Sequence, residues 1–146
     1  MNTSLIQFNV VKSNYPNPHA FASVALHSET TVLEVVTEVG KLLPQLSNFI
    51  AQFDATVVKS GVNVITDTAG SMSIDVPNSM PDVEASKVST RLGVIDRLIN
   101  TRGQEINLLL QKGLQLSKVK GENSEHVSQL HDQIQEFRRL NNLYKH

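Results

Sequence analysis

The strongest constraint on this chain lies in its last third. There Val88, Leu92, Ile95, Ile99, Arg102, Ile106, Leu109, Gly113 and Leu116 recur at alternating spacings of four and three. Such spacing keeps side chains on one stripe of a helix, so the segment reads as a long helix with a coiled-coil-like seam. Gly121, Glu122, Asn123 and Ser124 supply a stop and a new cap, after which Val127, Leu130, Ile134, Phe137, Asn141 and Tyr144 resume the pattern. The expectation is a helix from Asp82 to about Lys120 that folds back into a second one over Ser124 to Lys145, a long helical hairpin. At a rise of 1.5 Å per residue the two arms would reach roughly 58 Å and 33 Å, so part of the first must be covered by something else. Gly93, Gly103 and Gly113 each cost a helix interior about 1 kcal/mol relative to Ala. A break near Asn100 to Gly103 is the alternative, opposed by the unbroken phase on both sides of it.

Upstream, from Glu29 to about Lys59, apolar residues fill most of a helical circumference. They leave a narrow polar stripe of Glu34, Glu38, Lys41, Gln45, Asn48, Gln52 and Lys59. A helix of that kind must be covered on nearly every side. Ser28 is the expected cap, and Pro44 predicts a kink or a break near Gly40 to Leu43, with two helices over about 29 to 41 and 44 to 59 as the alternative.

Between these helical stretches, Val62 to Ile65 and Met72 to Val76 alternate at period two around Asp67-Thr68-Ala69-Gly70, which predicts a β-hairpin. Two strands alone are marginal in water, so the hairpin needs helices or a third strand beneath or beside it. The alternating Ile6, Phe8 and Val10 offer such a strand, or an arm free to dock on a neighbouring chain; Tyr15-Pro16-Asn17-Pro18 makes an extended connector after it. Asp82 is the expected cap of the helix that follows the hairpin. The fold class is therefore mainly α: a helical bundle with a long carboxy-terminal helical hairpin and a small inserted β-hairpin. At 146 residues it reads as one domain, made of an extended arm (1–27), an apolar helix or two (28–60), the β-hairpin and loop (61–81) and the helical hairpin (82–146).

Composition narrows the chemistry. Thirteen Lys and Arg against fourteen Asp and Glu leave a net charge of −1, which is not the electrostatic footprint of a dedicated nucleic-acid binder. There is no cysteine, hence no thiol nucleophile or thiolate metal site. Neither His126 with His131 nor His19 with His27 has the i, i+4 spacing that sets two imidazoles on one helical face for zinc. The carboxylate pairs Glu34/Glu38 and Asp132/Glu136 have that spacing but read as solvated faces, and Ser117-Lys118-Val119-Lys120 matches a serine–lysine nucleophile only by its bare spacing. The seven glycines never approach a phosphate-cradling arrangement. No window reaches the apolar length of a membrane span, and Met1 to Ser13 lacks the pattern of a secretory signal, which leaves a cytoplasmic location or export without a cleaved signal.

The functional expectation is a non-catalytic structural or assembly subunit, without metal, cofactor or small-molecule substrate. It would self-associate or build into a larger protein complex through its heptad seams. The expected interface is Val88, Leu92, Ile95, Ile99, Ile106, Leu109, Leu116, Val127, Leu130, Ile134, Phe137, Leu140, Asn141 and Tyr144. Asn141 and Arg102, polar on an apolar stripe, either rotate to the surface or set register and partner. Residues 91 to 120 hold the one basic concentration, expected to pair with the acidic segment Asp67 to Glu84 within the chain or between subunits. A small helical adaptor or chaperone that binds a partner's amphipathic helix in an apolar groove is the alternative.

Overall fold

The computed structural model describes residues 3–8, 31–69, 71–118 and 123–144, the first of these as backbone only. Among them the chain is mainly helical, with three helices packed as a bundle and a small antiparallel sheet at one end. In chain order the elements are β1 (Thr3–Phe8), α1 (Val32–Ser60), β2 (Asn63–Thr66), β3 (Met72–Pro77), α2 (Asp82–Ser117) and α3 (Ser124–Leu143).

Helix α1 starts later than the sequence suggests, because Thr31 takes the cap: its hydroxyl accepts a hydrogen bond from the Glu34 N–H at 3.3 Å. Ser28 lies outside the described residues. The helix runs through Pro44 as one element, so the two-helix alternative is not adopted. An internal proline costs roughly 3 kcal/mol. Burial of Val39, Leu42, Leu43 and Leu46 on either side of Pro44 offsets that cost. The end is set by Gly61, whose left-handed backbone (φ 70°) lets its N–H reach the carbonyls of Val57 and Val58. Each residue of the expected polar stripe is exposed, while Val32, Val35, Val39, Leu46 and Phe53 are sealed in the core.

Helix α2 crosses Gly103 without a break and spans 36 residues, about 54 Å at the helical rise. Asp82 does not cap it. Pro81 holds the cap position without a side-chain hydrogen bond, and Asp82 is the first helical residue. Helix α3 is capped by Asn123, whose side chain accepts from the Glu125 N–H at 2.8 Å; Gly121 and Glu122 lie outside the described residues.

The last two helices run antiparallel to one another as expected, but their apolar seams do not chiefly face each other. Helix α1 is the centre of the bundle: both α2 and α3 pack chiefly on it and only lightly on each other. Near the start of α1, Gln133 Nε2 of α3 donates to the Val36 carbonyl at 2.7 Å. Near its end, the rings of Phe53 and Tyr144 meet edge to face with centroids 5.1 Å apart. Helices α1 and α3 therefore run parallel, and α2, whose Asp96 lies against Tyr144, runs antiparallel to both. The reason is the apolar circumference of α1, which offers two flanks where α2 and α3 each offer one.

The sheet has the order β1-β3-β2, all antiparallel, with Thr66 opposite Met72 in the hairpin and Phe8 opposite Met72 on the other side. Asp67 closes the hairpin loop, its carboxylate accepting from the N–H groups of Ala69 and Ser71, each at 2.9 Å. Met72, Ile74 and Val76 bury on the bundle. The beginning of the arm thus pairs with the chain's own β3. The rest of the arm, including Val10, the Tyr15–Pro18 connector, His19 and His27, lies outside the described residues.

Candidate functional site

The fourteen expected interface residues are mostly inside the chain's own core. Leu92, Ile95, Ile99, Ile106, Leu109, Leu130, Phe137, Leu140 and Tyr144 are buried among the helices of a single chain, and Val88, Leu116, Val127 and Ile134 are half-buried against the same cluster. The α2 seam faces α1. Asn141 is exposed, because the buried rhythm of α3 runs through Phe137, Leu140 and Tyr144 and turns position 141 outward. Arg102 is half-buried and ion-paired with Glu105 at 2.7 Å on its own helix. At the end of α3, Phe137, Leu140 and Tyr144 are buried in the core, whereas Leu143 is exposed.

One polar constellation is closed off in this core. Asp96 is 1% exposed, accepts the Tyr144 hydroxyl hydrogen bond at 2.5 Å on one carboxylate oxygen and that of Asn100 Nδ2 at 3.2 Å on the other. Burial first, then the hydrogen bond to Asp96 and the negative charges of Asp96 and Asp54, push the Tyr144 phenol far above its ordinary pKa. Sequence reasoning placed Tyr144 on a seam but missed Asp96, which stands one position after Ile95. The i, i+4 relation of Asp96 to Asn100 was the available signal. The pair latches the end of α3 to α2, and its sealed geometry leaves a reacting molecule no approach.

The other candidates for chemistry are occupied locally. Glu136 receives two hydrogen bonds from Arg139, at 3.0 and 2.6 Å, and the Arg139 hydrogen bonds hold its carboxyl below the usual carboxylate range. Glu38 faces Lys41 at 3.7 Å. Ser117 donates its hydroxyl proton to the Leu114 carbonyl at 2.7 Å, as a helix-end serine does. Among the described residues no three His, Asp or Glu side chains gather where a metal ion could be held, and no helix is long and apolar enough to cross a membrane.

Two surface hollows flank the bundle. The groove between α1 and α3 is lined by Leu33, Val36, Thr37, Gln129, Asp132 and Gln133, four of the six polar. The hollow where β3 meets the start of α2 is lined by Ser86, Ser89, Thr90 and Asn78 among others, with Asp82 its one charged group. Neither brings opposed catalytic groups together.

Among the large apolar side chains left exposed, three lie on the outward side of α2. Val83 is 69%, Val94 47% and Leu98 39% exposed. At 100° per residue these three fall within about 60° of one another, a strip directed away from α1. Val94 and Leu98 share a shallow depression with Arg97, Thr101 and Arg102. Arg102 spends one guanidinium nitrogen on Glu105, and its buried Nε finds no hydrogen-bond acceptor among the described residues. Comparison with protein-family models, with curated proteins and with solved structures finds no match to this chain.

Proposed function

We propose that the chain is a non-catalytic assembly subunit that associates with copies of itself or builds into a larger protein complex. The observation that supports this reading is the strip of Val83, Val94 and Leu98 left uncovered on a helix whose opposite side already serves the core. Its neighbours Lys87, Thr101 and Glu105 continue the same face, so positions 87, 94, 98, 101 and 105 repeat at sevens, fours and threes. A coiled-coil-like contact is therefore proposed for this outer strip, and not for the inner seam that α1 occupies. The adaptor alternative would use the α1–α3 groove, where Leu33 and Val36 meet Thr37, Gln129, Asp132 and Gln133.

Sedimentation velocity across micromolar to near-millimolar protein tests the reading. The mass is expected to rise with concentration in a reversible way. A constant monomer mass throughout, alone and with every candidate partner, overturns it.

A further inference from the structure

The outer strip of α2 carries two unlike patches, and their chemistry is complementary. At its start, Asp82 and Glu84 flank Val83, and all three are exposed. They complete a stretch, Asp67 to Glu84, that holds four acidic residues and no basic one. Further along, the depression floored by Val94, Leu98 and Thr101 is flanked by Arg97 and Arg102, with Arg91 exposed one turn before it.

Among the described residues Asp82, Glu84, Arg91 and Arg97 form no ion pair. The ion pairs among the described residues are Glu38–Lys41, Arg102–Glu105 and Glu136–Arg139, all local to one helix, and none joins the acidic stretch to the basic one. The acids at the first turn do gain from the positive end of the helix. That gain does not explain an apolar side chain exposed between them. Nor can one molecule bring the patches together: Val83 and Leu98 are fifteen residues apart on one rigid helix, about 22 Å at the helical rise.

We propose that the first turn of α2 in one copy, Asp82-Val83-Glu84, docks on the arginine-flanked depression around Val94 and Leu98 in a second copy. Val83 fills the apolar floor while the two carboxylates meet Arg97 and Arg91 at its rim. Arg102, held by Glu105, forms the far wall. The inference rests on the self-association reading and names the surfaces that carry it.

The test uses the full chain in two charge-neutral forms, one carrying D82N and E84Q, the other R91Q and R97Q. All four positions are exposed, so circular dichroism should match the parent, with the acid-neutralised form melting slightly lower for want of its helix-end charges. Each form alone should self-associate at least about tenfold more weakly than the parent by sedimentation equilibrium, and raising salt should weaken the parent in the same direction. An equimolar mixture of the two forms should recover a one-to-one complex, because each supplies the intact patch the other lacks. If both forms associate as the parent does, or if mixing recovers nothing, the patches do not meet and the proposal fails while the assembly reading stands. A parent that stays monomeric at every concentration removes both.

Discussion

Replacing Tyr144 by Ala is expected to cost the fold about 3–5 kcal/mol, the cost of emptying an aromatic site in a packed core. That is about a fifth or more of the stability of a typical domain. The ring is lost from its edge-to-face contact with Phe53, and buried Asp96 loses the hydroxyl that donates to it. Tyr144→Phe separates the two effects. It keeps the ring and removes one hydroxyl, so about 1–3 kcal/mol should be lost, the cost of depriving a buried carboxylate of a donor. Urea unfolding of the three proteins at neutral pH measures both, and a Phe variant as stable as the parent would show that the hydroxyl contributes nothing.

The same residue fixes the alkaline limb of the stability profile. The phenol is raised in the folded chain, so the unfolded state loses its proton first, near pH 10. Below that pH the contribution of Tyr144 is complete. Above it the unfolded state binds fewer protons than the folded one, and stability falls by roughly 1.4 kcal/mol for each further pH unit. Tyr144→Phe should lack this component.

A glycine series should give effects of opposite sign. An added Cβ at Gly113 would stand 2.8 Å from Leu130 Cδ1 and 3.0 Å from Val35 Cγ1, because this is where the three helices converge. Leu130 and Val35 are fully buried and have no room to withdraw. Gly113→Ala is therefore expected to destabilise by about 1–3 kcal/mol despite the better helix propensity, and Gly113→Leu by about 3 kcal/mol or more. Gly93 and Gly103 have nothing within 4 Å of the same added atom. Each of those changed to Ala should stabilise by up to about 1 kcal/mol. Thermal melting ranks all four variants, and a Gly113→Ala protein that melts above the parent would contradict the close approach.

The heptad spacing of residues 88 to 116 and the apolar circumference of 32 to 58 made a helical bundle legible, and period-two alternation placed β2 and β3 within a residue or two. Those patterns are local and survive any packing arrangement. Which stripe faces which was not legible. The spacing at Leu92, Ile95 and Ile99 is the same whether the partner is the last helix, α1 or a second chain, and only the two-sided hydrophobicity of α1 decides that it takes the centre. The persistence of α1 through Pro44 was also hidden, since the local penalty is visible in sequence and the burial that offsets it is not. For the candidate surface, the seam residues that drew attention are those the core consumed, while Val83, Val94 and Leu98 fell between the seam positions. A second, weaker apolar phase on the same helix was the signal that could have exposed them.

The central place of α1 has a bearing on how the polypeptide is made. Everything α1 needs on one flank, the sheet strands and α2, is synthesised before α3, so that half can settle first. Its other flank stays bare until α3, which follows α2 in the chain, packs against it and is pinned by Tyr144. A polypeptide in which α3 is missing or undocked would therefore carry a sticky, uncovered side, a natural substrate for chaperones and proteases.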